Sequence, residues 1–259
     1  EEEIDYFFDM LGRVFPSISI NRSNIVFTFS GVRPLQHTEN GSTGQISRDH
    51  KVQITEPGEE ILFPILSLVG GKWTSFRAFS EIATDEILKK LRKTRKMSTE
   101  NLKIGGGQDY PENEKEKGLI ISTWKEKYEC SIERAEILFE RYGMKADEIL
   151  QMENYKKDTQ LEEYPEFSQE EIQYLIEQED IVHLDDLVFR RTLLGKLGLI
   201  TESGLLELAQ VAGEILNWGK KKKNTESKLL KTILMKKHHM EFNTYFKNPV
   251  HTEEVVIGK

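Results

Sequence analysis

Apolar residues in the first part of the chain change their spacing several times, which predicts a mixture of helices and strands. Residues 2–14 carry apolar side chains at helical spacing, and Pro16 ends that segment. Apolar and polar residues alternate over 24–30, which is typical of a β-strand, and a second strand is predicted over 51–54. Turn-forming residues fill positions 36–46, so a surface loop is expected between these strands.

The next apolar segment has the pattern of a strand, a turn and a helix. Residues 61–69 form a nearly continuous apolar run, which predicts a buried strand. Gly70 and Gly71 follow directly, and residues 74–91 then predict an amphipathic helix. The apolar positions on one face of that helix are Phe76, Phe79, Ile82, Ala83, Ile87 and Leu91.

Beyond residue 100 the strand signals vanish and helical spacing dominates. Residues 103–117 are rich in glycine and charge, which predicts a linker. Ser131 is a candidate N-cap for a helix that ends at Gly143, and Ser168 with Glu171 predicts a capping box for the next helix. Further helices are predicted over 182–197, 205–218 and 227–239.

These patterns predict an α+β fold class, in which a mixed α and β part is followed by an all-α domain. The predicted segments are the α/β part over 1–102, the linker over 103–117, the helical domain over 118–245 and a flexible tail over 246–259.

The composition excludes several classes of protein. The chain has 259 residues, 37% of them hydrophobic, and a formal net charge of −8. Affinity for nucleic acid comes mainly from neutralising phosphates, so no nucleic-acid partner is expected for an acidic chain. The single cysteine, Cys130, excludes a disulfide within the chain, and the histidines lack ligand spacing, so no metal site is predicted. No apolar run approaches the ~20 residues of a transmembrane helix.

Three basic residues and one helix end are the candidates for an anion site. Gly70 and Gly71 lie where bare backbone N–H groups meet the positive end of the predicted helix. Lys72 adds a charge at that turn, Arg33 follows a predicted strand, and Arg48 ends the polar loop. If the three cations converge, they suit a phosphate ester, which arginine binds through two hydrogen bonds. Taken singly, each is as readily a surface ion-pair residue.

Other charged and aromatic residues have simpler interpretations. His50 could border a substrate pocket, but a residue of a surface turn is the simpler interpretation. Arg190 and Arg191 are expected to form ion pairs, with Asp185 and Asp186 at helical distance as partners.

Several motifs, taken in order, resemble the C-terminal signatures of one enzyme family. They are SGVRPL over 30–35, SRDH over 47–50, GGKWT over 70–74 followed by Arg77, LFERYG over 138–143, and a helical segment over 166–195 that contains Arg-Arg-Thr. Together they are similar to the FAD-dependent glycerol-3-phosphate dehydrogenases and the related glycerophosphate oxidases. The resemblance runs over most of the chain.

The resemblance implies a flavoenzyme that oxidises sn-glycerol 3-phosphate to dihydroxyacetone phosphate by hydride transfer to FAD. It implies that Arg33 and Arg48 hold the polar groups of the substrate and that Lys72 lies beside flavin and substrate, so these three are the catalytic candidates. The cofactor-binding segment that it implies consists of Gly70, Gly71, Lys72, Trp73 and Thr74. The helix after this segment would point its positive end at the flavin edge that gains negative charge on reduction.

The resemblance also shows what this sequence lacks. No G-x-G-x-x-G follows a strand near the start, so the dinucleotide-binding N-terminal half of the family is expected as a partner within the same protein. Residues 1–102 would then be the C-terminal part of an FAD/substrate-binding domain, and the isolated chain is expected to be inactive. The start at Glu1, with neither Met nor signal peptide, predicts a processed or truncated chain. Ser75 and Phe76 stand where the family often has Thr and Tyr.

The electron acceptor and the location follow from the same resemblance. Quinone is the expected acceptor, with oxygen in the oxidases, and nothing in the residues separates the two. The expected location is cytoplasmic, with a peripheral position at the inner face of a membrane as an alternative. Lysines and histidines over 220–239 form a basic tract that anionic lipid would attract, although a solvated helix face is the simpler interpretation.

A non-catalytic function is the alternative to the enzyme. In it, residues 118–245 are a helical module for interaction or membrane association, and the half-site before them is vestigial. The presence of Arg33, Arg48 and Lys72 together favours the enzyme, because a decayed site does not need all three.

Overall fold

The computed structural model describes residues 2–31, 49–70, 72–156 and 159–242. Contacts divide the chain into two units: Glu1–Phe29 with Asp109–Lys259, called here the helical unit, and Ser30–Gln108, called the small unit. This grouping differs from the predicted segments, because residues near Phe27 pack against the helical unit.

In its described residues, the small unit contains one antiparallel strand pair and one α-helix. Strand β1 (Lys51–Thr55) pairs with β2 (Ile65–Val69), so that Lys51 lies opposite Val69 and Thr55 opposite Ile65. A 3-10 turn over Trp73–Ser75 leads into α2 (Phe76–Lys90). The predicted order of strand, turn and helix is therefore confirmed.

The predicted burial of 61–69 is wrong. The strand begins only at Ile65, and Leu62 and Phe63 before it are 86% and 66% exposed. Within β2, Leu68 is still 55% exposed. The physical reason is that the described part of the sheet has two strands, and so few residues cannot cover both faces.

Helix α2 has the predicted period but buries little of its apolar face. Of its described side chains, Phe79 and Ala83 are buried, whereas Phe76, Ile82 and Ile87 remain 47%, 45% and 44% exposed. Amphipathic spacing therefore identified the helix correctly but not the extent of its contacts within this unit.

Polar side chains of α2 hold the segment after it. Arg77, the arginine after GGKWT, donates to the carbonyl oxygens of Thr99 and Leu102, the latter at 2.8 Å. Glu81 accepts from the Thr99 N–H, and from the hydroxyls of Thr99 and Ser98 at 2.8 Å each. The backbone hydrogen bond from Thr99, then the two hydroxyls, lower the pKa of Glu81 to about 2.

The segment predicted as a strand over 24–30 does not pair with another strand in the described ranges. A 3-10 turn over Arg22–Asn24, capped by Asn21, replaces its first residue, and extended backbone comes next. Of the alternating residues, Phe27 contacts the core of the helical unit, whereas Phe29 is 80% exposed.

The helical unit begins with α1 (Glu2–Val14), whose extent agrees with the prediction. The other helices are α3 (Glu114–Tyr128), α4 (Ile132–Tyr142), α5 (Ala146–Lys156), α6 (Gln169–Gln178), α7 (Leu184–Asp186), α8 (Glu202–Ile215) and α9 (Lys220–His238).

Local capping explains several of these boundaries. The Ser131 side chain accepts from the Arg134 N–H at 3.0 Å, and Gly143, with φ of 57°, ends α4 as predicted. Ser168 accepts from the Glu171 N–H at 3.0 Å, so the predicted cap is confirmed. The Glu171 carboxylate accepts hydrogen bonds from arginine and tyrosine side chains of α4.

Two predicted segments differ from the observed elements. The predicted linker over 103–117 overlaps the first turn of α3, because Asn113 accepts from the Glu116 N–H at 3.0 Å and starts the helix there. The predicted helix over 182–197 is only the short α7 followed by a π-helical turn over Leu187–Arg191. The predicted helices over 205–218 and 227–239 correspond to α8 and α9.

The helical unit has two apolar cores, and α6 contributes to both. Ile172 and Leu175 belong to the core formed with α7, α8 and α9, whereas Tyr174 belongs to the core formed with α3, α4 and α5. Tyr142, at the end of α4, packs against both cores. Helix α6 is therefore the element through which the two halves of this unit are joined.

A buried ionic network connects α6 to α4 and α5. Arg134 donates to Glu171 at 3.0 Å, to Ser168 at 3.0 Å and to Glu153. Arg141 donates to Glu171 at 3.0 Å. The Glu171 side chain is 0% exposed, so these donors replace the water that the carboxylate loses on folding.

Tyr142 completes the network. Its hydroxyl donates to Glu171 Oε1 at 2.7 Å. Burial of the phenol, followed by the nearby Glu171 carboxylate, raises the pKa of Tyr142 far above its ordinary value. The hydroxyl therefore stays protonated and remains a donor across the physiological pH range.

Replacing Arg134 should strongly destabilise the chain. Arg134→Met leaves the Glu171 and Glu153 carboxylates without their shared buried donor, so the free energy of unfolding should fall by about 3–5 kcal/mol. The matched control is Arg190→Met, because the Arg190 side chain is 56% exposed in its ion pair with Asp186, and a loss below about 1 kcal/mol is expected there. Chemical denaturation measures both, and equal losses would contradict a special role of the buried network.

The Glu81 carboxyl should titrate well below the ordinary value of 4.5. Since its pKa in the folded chain is about 2, the contacts that Glu81 makes with Thr99 are present above pH 4.5 and are lost as the pH falls towards 2. The titration of the Glu81 side-chain carbon by NMR gives the midpoint. Combined Ser98→Ala and Thr99→Val should move that midpoint towards 4.5. A midpoint near 4.5 in the unsubstituted chain would contradict the hydrogen bonds of Glu81 with Ser98 and Thr99.

Candidate functional site

The turn between β2 and α2 contains the predicted cofactor-binding residues that the structure describes. Gly70 follows β2 with φ of 75°, in the left-handed region that glycine favours. Lys72 is extended, with φ of −106° and ψ of 152°, and α2 begins after the next turn. The N-terminal end of the helix therefore follows closely on these residues.

Ser75 braces this turn. Its hydroxyl accepts from the Lys72 N–H at 3.2 Å and donates to the Lys72 carbonyl oxygen at 3.0 Å. Because a threonine hydroxyl has the same donor and acceptor groups, serine at this position keeps the brace.

The N-terminal end of the helix has free hydrogen-bonding capacity. In the described ranges, no acceptor is bonded to the N–H groups of Trp73 and Thr74. The Trp73 side chain is 89% exposed, and Lys72 is exposed with no carboxylate partner in that same part of the chain. Exposed donors and one cation together can bind an anion or an electron-rich ring edge.

The other two predicted cations and one glycine lie outside the described residues. These are Arg33, Arg48 and Gly71. Their convergence with Lys72 therefore stays a prediction.

One contact links the SRDH motif to α2. The His50 ring lies 4.8 Å from the ring of Phe79, the buried aromatic residue of α2. His50 is thus half-buried against the helix after GGKWT, and its interpretation as a residue of a surface turn is wrong. No local sequence signal pairs residues so far apart, which is why the sequence did not reveal the contact.

Family motifs in the helical unit have structural roles. Leu138 and Phe139 of LFERYG are core residues, and Arg141 and Tyr142 bind Glu171. The two arginines of the Arg-Arg-Thr motif also make their contacts within this unit.

Arg190 pairs with Asp186 at 2.7 Å and with Asp185 at 3.3 Å, as predicted. Arg191 also forms an ion pair, but with the Glu179 carboxylate at 3.3 Å, and it donates to the Glu179 carbonyl oxygen at 3.0 Å. These motif residues are therefore accounted for by folding.

The basic tract over 220–239 is partly neutralised. Lys222 contacts the buried carboxylate of Glu226 at 2.5 Å, and Lys231 contacts Glu202 at 2.6 Å. Lys228 and Lys236 remain exposed. The tract therefore has fewer free charges than its sequence indicates.

Sequence reasoning overlooked a second basic run, KKLRKTRK over 89–96. Lys90 pairs with Glu56, and Arg95 pairs with Asp85 at 2.9 Å, whereas Lys93 and Lys96 border a shallow hollow beside Met97. The density of cations in so short a stretch is the signal that would have identified it.

Two further kinds of site were sought in the described ranges. No group of three or more His, Cys, Asp or Glu side chains there could hold a metal ion. Nor does any described helix have the length and apolar character needed to cross a bilayer.

Comparison with known proteins gives one family model and several relatives. Residues 97–223 match the C-terminal domain of alpha-glycerophosphate oxidase. A glycerol-3-phosphate dehydrogenase of Synechocystis is 33% identical over 153 residues, which are 58% of this chain and 26% of that protein. A probable mitochondrial glycerol-3-phosphate dehydrogenase of Dictyostelium discoideum is 26% identical over 253 residues, or 91% of this chain and 38% of that protein.

A mitochondrial glycerol-3-phosphate dehydrogenase of Mus musculus is 27% identical over 237 residues, which are 87% of this chain and 31% of that protein. The chain thus spans between 26% and 38% of the length of these curated relatives. The match to the C-terminal domain and the relatives that cover most of the chain agree with the motifs. The chain is therefore similar to glycerol-3-phosphate dehydrogenases over most of its length, and residues 97–223 match the C-terminal domain of the glycerophosphate oxidase family.

Proposed function

We propose that this chain is part of a flavoenzyme that oxidises sn-glycerol 3-phosphate to dihydroxyacetone phosphate. The family match supports the reaction class. The single structural observation that carries the proposal is the N-terminal end of α2, where exposed N–H donors and Lys72 follow the left-handed Gly70.

The residues at this turn fit a flavin. A flavin ring has an edge of acceptor atoms that becomes more negative on reduction, and the N–H groups of Trp73 and Thr74 are donors at a positive helix end. Gly70 allows the tight reversal that brings backbone close to a ligand. FAD, when bound, supplies the acceptor for the hydride that leaves the substrate.

The proposed substrate-binding groups of the protein are the basic side chains of the three motifs. Arg33 and Arg48 bind the phosphate and neighbouring oxygens, because guanidinium groups make paired charge-assisted hydrogen bonds to such anions. Lys72, at the turn, holds a positive charge near the reacting carbon. Together the three orient the substrate and exclude other poses, which lowers the entropic part of the barrier.

The exposed apolar residues of the small unit support the proposal that another part of the protein packs on it. Leu62, Phe63 and Trp73 are 86%, 66% and 89% exposed, and a two-stranded sheet is marginally stable by itself. We assign the N-terminal dinucleotide-binding half of the same protein to this surface, since the relatives are much longer than this chain.

Two electron acceptors are candidates, a quinone and oxygen. The relatives are named dehydrogenases, for which we propose a quinone, and the family model is named for alpha-glycerophosphate oxidase, for which oxygen is the acceptor. A quinone is dissolved in the membrane, and the exposed lysines of α9, such as Lys228 and Lys236, carry charge that anionic lipid attracts.

Removal of one substrate-binding cation should weaken substrate binding. In the full-length protein with FAD, Arg33→Ala should raise the KM for glycerol 3-phosphate roughly 10- to 100-fold, the worth of a charge-assisted hydrogen bond. Arg92→Ala, at an exposed position of the small unit, is the matched control and should leave KM unchanged. An unchanged KM in Arg33→Ala would remove Arg33 from the substrate site.

The electron acceptor can be assigned directly. With glycerol 3-phosphate as donor, reduction of a soluble quinone without hydrogen peroxide formation is expected of the dehydrogenase. Stoichiometric oxygen uptake with hydrogen peroxide would assign the oxidase instead. A full-length protein that neither binds flavin nor turns over would support the non-catalytic helical module.

A further inference from the structure

The Ser75 side chain bonds both backbone groups of Lys72. Its hydroxyl accepts from the Lys72 N–H at 3.2 Å and donates to the Lys72 carbonyl oxygen at 3.0 Å. The Ser75 N–H donates to the same carbonyl oxygen, also at 3.0 Å. Three hydrogen bonds between two residues therefore close the turn between β2 and α2, and two of them depend on one hydroxyl group.

These hydrogen bonds determine which donors of the turn stay available to a ligand. The Lys72 N–H is bonded within the turn, and the Trp73 carbonyl oxygen accepts from the Phe76 N–H. The N–H groups of Trp73 and Thr74 have no acceptor in the part of the chain that the structure describes. Both belong to the turn that leads into α2, where N–H groups point out of the N-terminal end. An acceptor at this end therefore meets these two N–H groups and not that of Lys72.

Packing contributes little to the orientation of this turn. The Trp73 and Phe76 rings lie 6.1 Å apart, but the two side chains are 89% and 47% exposed. Lys72 and Thr74 are exposed as well, whereas Ser75 is half-buried. Within the described residues, the hydroxyl of Ser75 is therefore the main side-chain constraint on the turn.

Loss of this hydroxyl would free the turn without removing a donor from it. The N–H groups of Trp73 and Thr74 remain in Ser75→Ala, but the backbone before them loses two hydrogen bonds. A donor that is not held in one orientation has to be ordered when a ligand binds, and that ordering opposes binding. Donors that are fixed in advance avoid this cost and stabilise charge where it develops. The substitution thus separates the orientation of the donors from their presence.

We propose that Ser75 is a positioning residue for the flavin, whose hydroxyl orients the N–H groups of Trp73 and Thr74 towards the edge that gains negative charge on reduction. This inference rests on the proposed function, in that it takes the N-terminal end of α2 to face the flavin. Ser75 itself need not touch the cofactor. Because donors at this edge stabilise the reduced flavin more than the oxidised flavin, loss of their orientation should lower the reduction potential.

The reduction potential of the flavin in the full-length protein tests the proposal. Ser75→Ala should disfavour the reduced flavin about tenfold relative to the oxidised flavin, which lowers the potential of this two-electron couple by about 30 mV. Ser75→Thr keeps a hydroxyl that donates and accepts, so it should retain the potential of the unsubstituted protein. The matched control is Ser80→Ala, which removes a hydroxyl that donates to the Phe76 carbonyl oxygen at 2.8 Å in the same helix and should leave the potential unchanged.

Three results would overturn the proposal. The first is an unchanged flavin potential in Ser75→Ala. The second is a potential in Ser75→Thr as low as that in Ser75→Ala, because the hydroxyl would then not be the group that matters. The third is an equal fall in Ser80→Ala, which would show that any lost hydroxyl in this helix has the same effect.

Hydrogen exchange of the flavin-free full-length protein tests the turn without the cofactor. Peptides that cover residues 70–76 should exchange faster in Ser75→Ala than in the unsubstituted protein, because the Lys72 N–H loses its acceptor. Ser75→Thr should exchange at the unsubstituted rate, and unchanged exchange in Ser75→Ala would overturn the proposal. Faster exchange in a full-length protein that binds no FAD would overturn the proposed function, and the flavin role of Ser75 with it, while the hydrogen bonds of the turn would stand.

Discussion

The helical unit depends on the buried carboxylate of Glu171. A fully buried charge is unfavourable unless donors surround it, and Arg134, Arg141 and Tyr142 of α4 supply those donors. Since α6 contributes side chains to both apolar cores, the position of Glu171 determines how the two cores meet. The LFERYG motif is explained by this requirement, because its arginine and tyrosine bind the carboxylate and its apolar residues fill a core.

The small unit is stabilised differently. Its helix buries few of its described apolar residues, and polar contacts from Arg77 and Glu81 hold the segment after it. Exposed apolar side chains near β2 and Trp73 agree with a unit that is completed by another part of the parent protein. The same exposure leaves the N-terminal end of α2 open, which is where the proposed flavin contacts lie.

Residues 25–29 belong to the helical unit and lead directly into SGVRPL. These residues are packed and hydrogen-bonded to the end of α9 before the chain enters that motif.

Local features could be predicted from the sequence: the helix periods, the Ser131 and Ser168 caps, the order of β2, turn and α2, and the motifs shared with the family. The meeting of Arg33, Arg48 and Lys72 stays a prediction from those motifs. Tertiary contacts, by contrast, place Phe27 on the end of α9, leave Leu62, Phe63 and Leu68 exposed, and pack His50 on α2. Periodicity reports which face of an element is apolar, whereas burial and charge pairing depend on partners far along the chain, such as Glu171 for Arg134 and His238 for Thr28.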